Sequence, residues 1–307
     1  MSVRKSAQQL IDTFRSRPTI RAGSLIVTVF GDTVAPRGGT IWVGSLIQVM
    51  APFGVGERLV RTSVFRLSGE DWLESTSVGR KSYYGLTKDG ARRLHDAAQR
   101  IYREPRPAWS GEWTIVLLDG VATPRRDELR RELGWLGFGS VSANVMVHPA
   151  ADGAELSGLM ERTEAGADIV VLSGRSAGAR QDQQMRQLAQ KSWDLEAVDE
   201  RYRGFLDTFR PVYRAADAAR DIRPEDAFHL RTLLIHEYRK AVLRDPLLPV
   251  DLLPEGWHGS SAYRLCRNLY RLLYEAADRY VSASMETAEG PIPPPQSDYY
   301  RRFGGLE

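Results

Sequence analysis

Between residues 57 and 67 ("ERLVRTSVFRL") the apolar positions Val60, Val64 and Leu67 recur at steps of four and three. That spacing puts them on one face of an α-helix. The opposite face carries Glu57, Arg58, Arg61, Thr62 and Phe65, with Arg66 at its margin. Upstream, residues 41–50 ("IWVGSLIQVM") predict a helix that buries Ile41, Leu46, Ile47 and Met50. Pro52 and the Gly54-Val55-Gly56 run break the chain between the two. Residues 24–30 are apolar and rich in β-branched side chains, a pattern that fits a helix or a strand. Downstream, "WLESTSV" and "SYYGLT" read as strands flanking Gly79-Arg80-Lys81, the tip of a hairpin. Thr87 then caps a helix that runs to Tyr102.

A linker is expected at "REPRPAWSG" (103–111), where prolines and a glycine cluster. Beyond it, "WTIVLLDG" reads as a strand, residues 125–136 as a charged helix, and "GFGSVSANVMVHP" as a strand alternating at Val141, Ala143, Val145 and Val147. Residues 154–164 follow as a helix, and "ADIVVLSG" as a buried strand. This alternation suits a ferredoxin-like split βαβ unit. From residue 181 the period turns helical, with Leu195, Val198, Tyr202, Phe205 and Phe209 at steps of three and four. Between two further helical runs lies "DPLLPVDLLPEGWHGS", too apolar for a mere linker. The tail after Gly290 is proline-rich and expected to be extended or disordered. The organisation predicted is therefore α+β: an N-terminal domain (1–106), a central ferredoxin-like domain (107–180), a mostly helical C-terminal domain (181–290) and a tail (291–307).

Helix, glycine-containing turn, arginine-faced helix and basic-tipped hairpin, in that order, sketch a winged helix-turn-helix. Charge supports it. Residues 1–106 hold 17 Lys and Arg against 9 Asp and Glu, whereas the rest holds 25 against 30. A basic module on an acidic body is expected to meet a polyanion, here double-stranded DNA. Arg58 and Arg61 suit guanine edges, Thr62 a base or thymine methyl, and Phe65 a thymine methyl unless it covers the wing. Arg66, Arg80 and Lys81 suit phosphates.

No apolar run reaches the roughly 18–20 residues of a transmembrane helix, and residues 1–10 lack the apolar core of a secretory signal. One cysteine, Cys266, leaves no disulfide within a chain and no Cys-rich zinc site. A cytoplasmic location is expected, with no membrane partner and no cofactor. Asp119, closing the first central strand, is a turn residue or, on the rival reading of a metal-dependent nuclease, a metal ligand. His229 and His236 share a helical face near Glu237, but lack an evident third metal ligand, so core positions are preferred for them and no metal is expected. No phosphate-binding or nucleophile-elbow glycine motif is present.

The stretches "FGDTVAPRGGTIWVGSLIQVMAPFGVGERLVRTSVFRL", "GRKSYYGLTKDG" and "LRDPLLPVDLLPEGWHG" closely resemble the PaaX family, repressors of phenylacetic acid degradation, and the likeness runs in order from Arg21 to Ala283. It implies an N-terminal winged helix, a central domain similar to the CRISPR spacer-acquisition nuclease fold, and a helical C-terminal domain. It further implies a non-enzymatic homodimer that binds palindromic operator DNA and leaves it when an aryl-acyl-CoA, typically phenylacetyl-CoA, binds. The resemblance assigns no effector residues. By their chemistry alone, Trp257 and His258 in the apolar loop suit an aromatic acyl group, and Arg244 and Arg264 suit CoA phosphates. The same loop also reads as a plain cap on the helical domain.

Overall fold

The computed structural model describes residues 2–103, 109–149, 151–163, 168–175 and 178–306. Most of the linker expected at 103–111 therefore lies outside the described residues, as do Glu164 and Ala167. The chain folds as two compact units: one of Met1–Glu104, Tyr202–Lys240 and Ser260–Glu307, the other of Pro105–Arg201 and Ala241–Gly259. The first and last blocks of the sequence thus share a unit.

In the first unit α1 (Val3–Arg15) begins at Ser2, whose side chain accepts from Lys5 N. The ambiguous run 24–30 is helical: α2 (Ala22–Val29) buries Leu25, Ile26 and Val29. It continues as one wide π-type turn, Phe30–Val34, in which Ala35 N–H donates to Phe30 O. A short strand β1 (Thr40–Trp42) precedes α3 (Val43–Met50). The helix expected from residue 41 accordingly starts two residues later. Ile41 is buried in the strand opposite Tyr84, and Val49 rather than Ile47 takes the core position. Gly54, in the left-handed region at φ 77°, turns the chain into α4 (Glu57–Gly69), which buries Val60, Ser63, Val64 and Leu67. Strands β2 (Leu73–Val78) and β3 (Lys81–Leu86) form the expected hairpin, and the sheet order is β1-β3-β2. Thr87 caps α5 (Lys88–Tyr102), accepting from Gly90 N at 2.9 Å.

From Tyr202 onward helix α9 (Leu195–Asp217) belongs to this unit, and α10 (Pro224–Val242) and α11 (Gly259–Ser284) follow. All five α9 positions expected in the core are buried. On α10, His236 Nδ1 lies 2.9 Å from Thr28 Oγ1 of α2, and Arg17 of the α1–α2 connection pairs with Glu237 at 2.8 Å. After α11 the chain forms a two-stranded hairpin, β8 (Glu286–Thr287) and β9 (Gly290–Pro291), and a short helix α12 (Ser297–Tyr300).

The tail is not extended or disordered as its composition predicts. Ile292, Tyr299, Phe303 and Leu306 are buried, and Arg302 is 8% exposed. Its Nη1 donates to the Asp32 carbonyl at 2.9 Å and carboxylate at 3.0 Å. Asp32, on the π-type turn, also accepts from Tyr102 (2.7 Å) and Tyr270 (3.0 Å) and pairs with Arg231 at 3.1 Å. Arg231 and Arg37 both reach Asp278 of α11, at 2.6 and 2.7 Å. Proline content limits helix, but it does not prevent docking when apolar anchors and a buried charge partner are available.

The second unit is a four-stranded antiparallel sheet in the order β5-β6-β4-β7, from β4 (Glu112–Leu117), β5 (Gly139–Ser140), β6 (Val145–His148) and β7 (Val170–Arg175). Helix α6 (Thr123–Trp135) links β4 to β5, and α7 (Gly153–Arg162) links β6 to β7. This is a ferredoxin-like βαββαβ order, one strand more than the strand-helix-strand-helix-strand alternation read from the sequence. Along β4 alternate residues enter two cores. Val116, with Leu118 just beyond, packs with Leu129, Leu133, Leu156 and Leu159, while Trp113 packs with Val147, Trp193, Leu248 and Leu252.

Two strand expectations change. "GFGSVSANVMVHP" makes a hairpin, not one alternating strand. Met146, Val147 and His148 are all buried, because both faces of the sheet are covered. "ADIVVLSG" forms the edge strand β7 rather than a buried one, leaving Val170 and Leu172 exposed. The apolar loop after α10 inserts Leu248 and Leu252 into this unit's core, together with α8 (Ala179–Ser192). It therefore caps the central sheet and not the helical domain.

Candidate nucleic-acid interface

The stripe Val60–Val64–Leu67 is seated in the core at 0–4% exposure, and the helix twist then fixes the other face outward. Arg58, Arg61, Thr62, Phe65 and Arg66 are all exposed. Phe65 is 79% exposed, so it does not cover the hairpin. Arg61 is held by Glu57 one turn back, Nε to Oε1 2.9 Å, and Arg66 lies 3.6 Å from Glu70. Such exposed pairs are weak and readily exchanged. Thr62 Oγ1 donates to Arg58 O at 2.9 Å. Among the described residues Arg58 and Arg80 enter no ion pair.

The hairpin tip is two residues, Gly79-Arg80, with Gly79 at φ 60° as a tight antiparallel turn requires. Lys81 is not part of the tip. It opens β3 opposite Val78, lies 2.9 Å from Glu286 of β8, and stands 4.1 Å from the centre of the Trp42 ring. Its pKa is raised, first by the hydrogen bond to Glu286. Of the seven sequence-chosen residues, α4 gathers five on one face and the hairpin carries Arg80 and Lys81. Glu286 and Trp42 escape a local reading. Glu286 lies 205 positions from its partner, and no periodicity links the two.

The other candidates divide. Arg244, Trp257 and His258 belong to the second unit, whereas Arg264 belongs to the first. His258 Nδ1 lies 2.9 Å from Asp199 Oδ2, and its main-chain N–H donates to Asp199 Oδ1 at 2.8 Å. Trp257 packs against the core around Trp113 and Trp193. Arg244 and Arg264 are exposed. Asp119 is exposed and accepts from Asn144 Nδ2 at 2.7 Å, which ties it to the β5–β6 turn. Among the described residues no group of three His, Cys, Asp or Glu side chains is placed to hold a metal ion. His229 and His236 are core residues. Burial lowers His229 to about 4, and burial with Lys240 and Arg239 nearby holds His236 well below the usual range. Cys266 is buried in α11. No helix among the described residues is long and apolar enough to cross a membrane.

Three consecutive family models match the chain: a PaaX-like protein over residues 21–90, a PaaX protein central Cas2-like domain over 106–186, and a PaaX-like protein C-terminal domain over 193–283. The central match coincides with the βαββαβ sheet. The chain is also 38% identical over 284 residues to the transcriptional repressor PaaX of Escherichia coli (strain K12), covering 92% of this chain and 90% of that one. These likenesses define a transcriptional regulator and not an enzyme. The chain belongs to the PaaX family. In fold it also resembles the uncharacterized protein Rv0674 from Mycobacterium tuberculosis (TM-score 0.48, 22% identity, 77% of this chain and 89% of that one).

Proposed function

We propose that the chain is a cytoplasmic, DNA-binding repressor of phenylacetate-catabolism genes, released from its operator by phenylacetyl-CoA or a related aryl-acyl-CoA. In this reading α3 and α4 are a helix-turn-helix, α4 is the recognition helix, and β2–β3 is the wing. The element order α2–β1–α3–α4–β2–β3 and the sheet order β1-β3-β2 support it. The observation that carries it is the outward face of α4. Three arginines, a threonine and an almost fully exposed phenylalanine stand together there with no core to serve. An exposed phenylalanine on a helix of major-groove size suits a thymine methyl, and Arg58 and Arg61 suit guanine O6 and N7. Arg66, Arg80 and Lys81 suit phosphates.

The working species is a homodimer, with two α4 helices about one DNA turn, ~34 Å, or a multiple of it apart on a palindromic site. An effector releases DNA only by binding the incompetent geometry better, and moving occupancy from 99:1 to 1:99 takes about 5.5 kcal/mol of differential affinity. Of the four residues chosen from the sequence, Trp257, His258 and Arg244, all of the second unit, remain the effector residues we propose on chemistry alone. The nuclease reading has no comparable support: among the described residues no group of three His, Cys, Asp or Glu side chains, Asp119 included, is placed to hold a metal ion.

The test is selection of a preferred duplex from a random pool, then gel shifts at fixed salt. Arg61→Ala is expected to weaken that duplex by about 1–3 kcal/mol with little effect on unrelated DNA, whereas Arg80→Ala weakens all sequences together. Saturating phenylacetyl-CoA is expected to release the selected duplex. Metal-dependent DNA cleavage abolished by Asp119→Ala would instead favour the nuclease.

A further inference from the structure

Among the described residues, the wing cation that reaches a carboxylate does so across 205 positions of the sequence. Lys81 Nζ meets Glu286 Oε2 at 2.9 Å, with one side of the ammonium against the Trp42 ring, 4.1 Å from its centre. Both partners are fixed from behind. The main-chain N–H of Glu286 donates to Ser45 Oγ of α3 at 3.0 Å, and Glu286 pairs with Pro291 in the β8–β9 hairpin. Trp42 lies so close over Gly44 that a Cβ there would come within 2.4 Å of the ring. Yet the two charged ends are about half exposed, at 45% and 49%. The arrangement is therefore built from the backbone and open at the ion pair.

We propose that Glu286 is an internal stand-in for a DNA phosphate: it occupies Lys81 in the free protein and gives it up when the wing engages DNA. The inference rests on the DNA-binding reading above. Carboxylate and phosphate oxygens are equivalent ligands for an ammonium, at similar distances and with similar geometry. The ring of Trp42 stays in place through the exchange and keeps the lysine extended along the strand. Because the pair is exposed, exchange is easy, and the carboxylate acts as a modest brake on sequence-independent binding rather than a lock. Glu286 follows α11 by two residues, so the brake sits where the C-terminal helices end.

The test uses full-length protein and a short mixed-sequence fluorescent duplex, titrated by anisotropy at several salt concentrations. Glu286→Gln removes the charge but keeps the main-chain anchor to Ser45. It is expected to tighten binding about two- to fivefold, the scale of an exposed ion pair. Lys81→Ala is expected to weaken binding and reduce the log–log salt slope by about 0.9, one phosphate contact. In the Lys81→Ala background Glu286→Gln is expected to gain nothing. An equal gain with and without Lys81 would mean that Glu286 acts only through its field on DNA, and it would overturn the proposal, as would no gain in the single variant. Absence of any DNA binding by the unmodified protein would overturn the reading beneath it instead.

Discussion

At the scale of single residues, burial decides which side chains titrate. His229 is 4% exposed, and its ring stands edge-on to Phe53 and Tyr280. Among the described residues its Nε2 meets no hydrogen-bond partner. Its folded pKa of about 4 lies below the ordinary 6.5 because burial disfavours the charged ring. The unfolded chain therefore binds a proton that the folded chain refuses. Stability is full above pH 6.5 and falls as pH drops from 6.5 towards 4. His229 alone accounts for about 3 kcal/mol over that window, and His236, lowered well below 6.5, adds in the same direction. Urea melts at pH 7 and pH 4.5 are expected to show the loss, and His229→Phe, which keeps the ring packing, is expected to reduce it, leaving the share due to His236. The outward set on α4 was legible from the sequence because a helix converts spacing into direction. The Lys81–Glu286 contact was not, since only folding brings those positions together.

At the scale of elements, the hairpin and α5 meet at one close backbone approach. A Cβ at Gly90 would lie 2.2 Å from Trp72 O, the same carbonyl that accepts from Thr87 N. Backbone cannot retreat as a side chain would, so Gly90→Ala is expected to cost about 1–3 kcal/mol. Thermal melts would show it, together with a weakened β2–β3 hairpin. A cost near zero would mean that α5 shifts freely against the hairpin. Local pattern located most elements here. It failed where a segment's surroundings override its composition: Ile41 joined a strand because β3 offered it a partner, and the Val141–Val147 alternation dissolved because both sheet faces were covered.

At the scale of the molecule, the first unit is closed by five charges drawn from four separate segments. Asp32 meets Arg231 and Arg302, and Asp278 meets Arg37 and Arg231, all but Asp278 nearly or fully buried. Removing one member leaves an unpaired buried charge, which typically costs 3–5 kcal/mol. Asp32→Asn is expected to destabilise the protein by about that much in urea melts. Truncation after Gly290 is expected to lower the same transition by removing Arg302 and the anchors Tyr299 and Phe303. A truncated chain as stable as the full one would show that the tail only decorates the unit.

The sequence by itself determined the helical faces, the Thr87 cap, the β2–β3 hairpin and the family, because each is written in short-range spacing or in long ordered motifs. Only the tertiary structure decided that the last block shares a unit with the first, that the proline-rich tail is docked, and that Lys81 is held rather than free. The physical reason is that those outcomes depend on pairs of charges and apolar anchors some 200 to 270 positions apart, which meet only after the chain has folded.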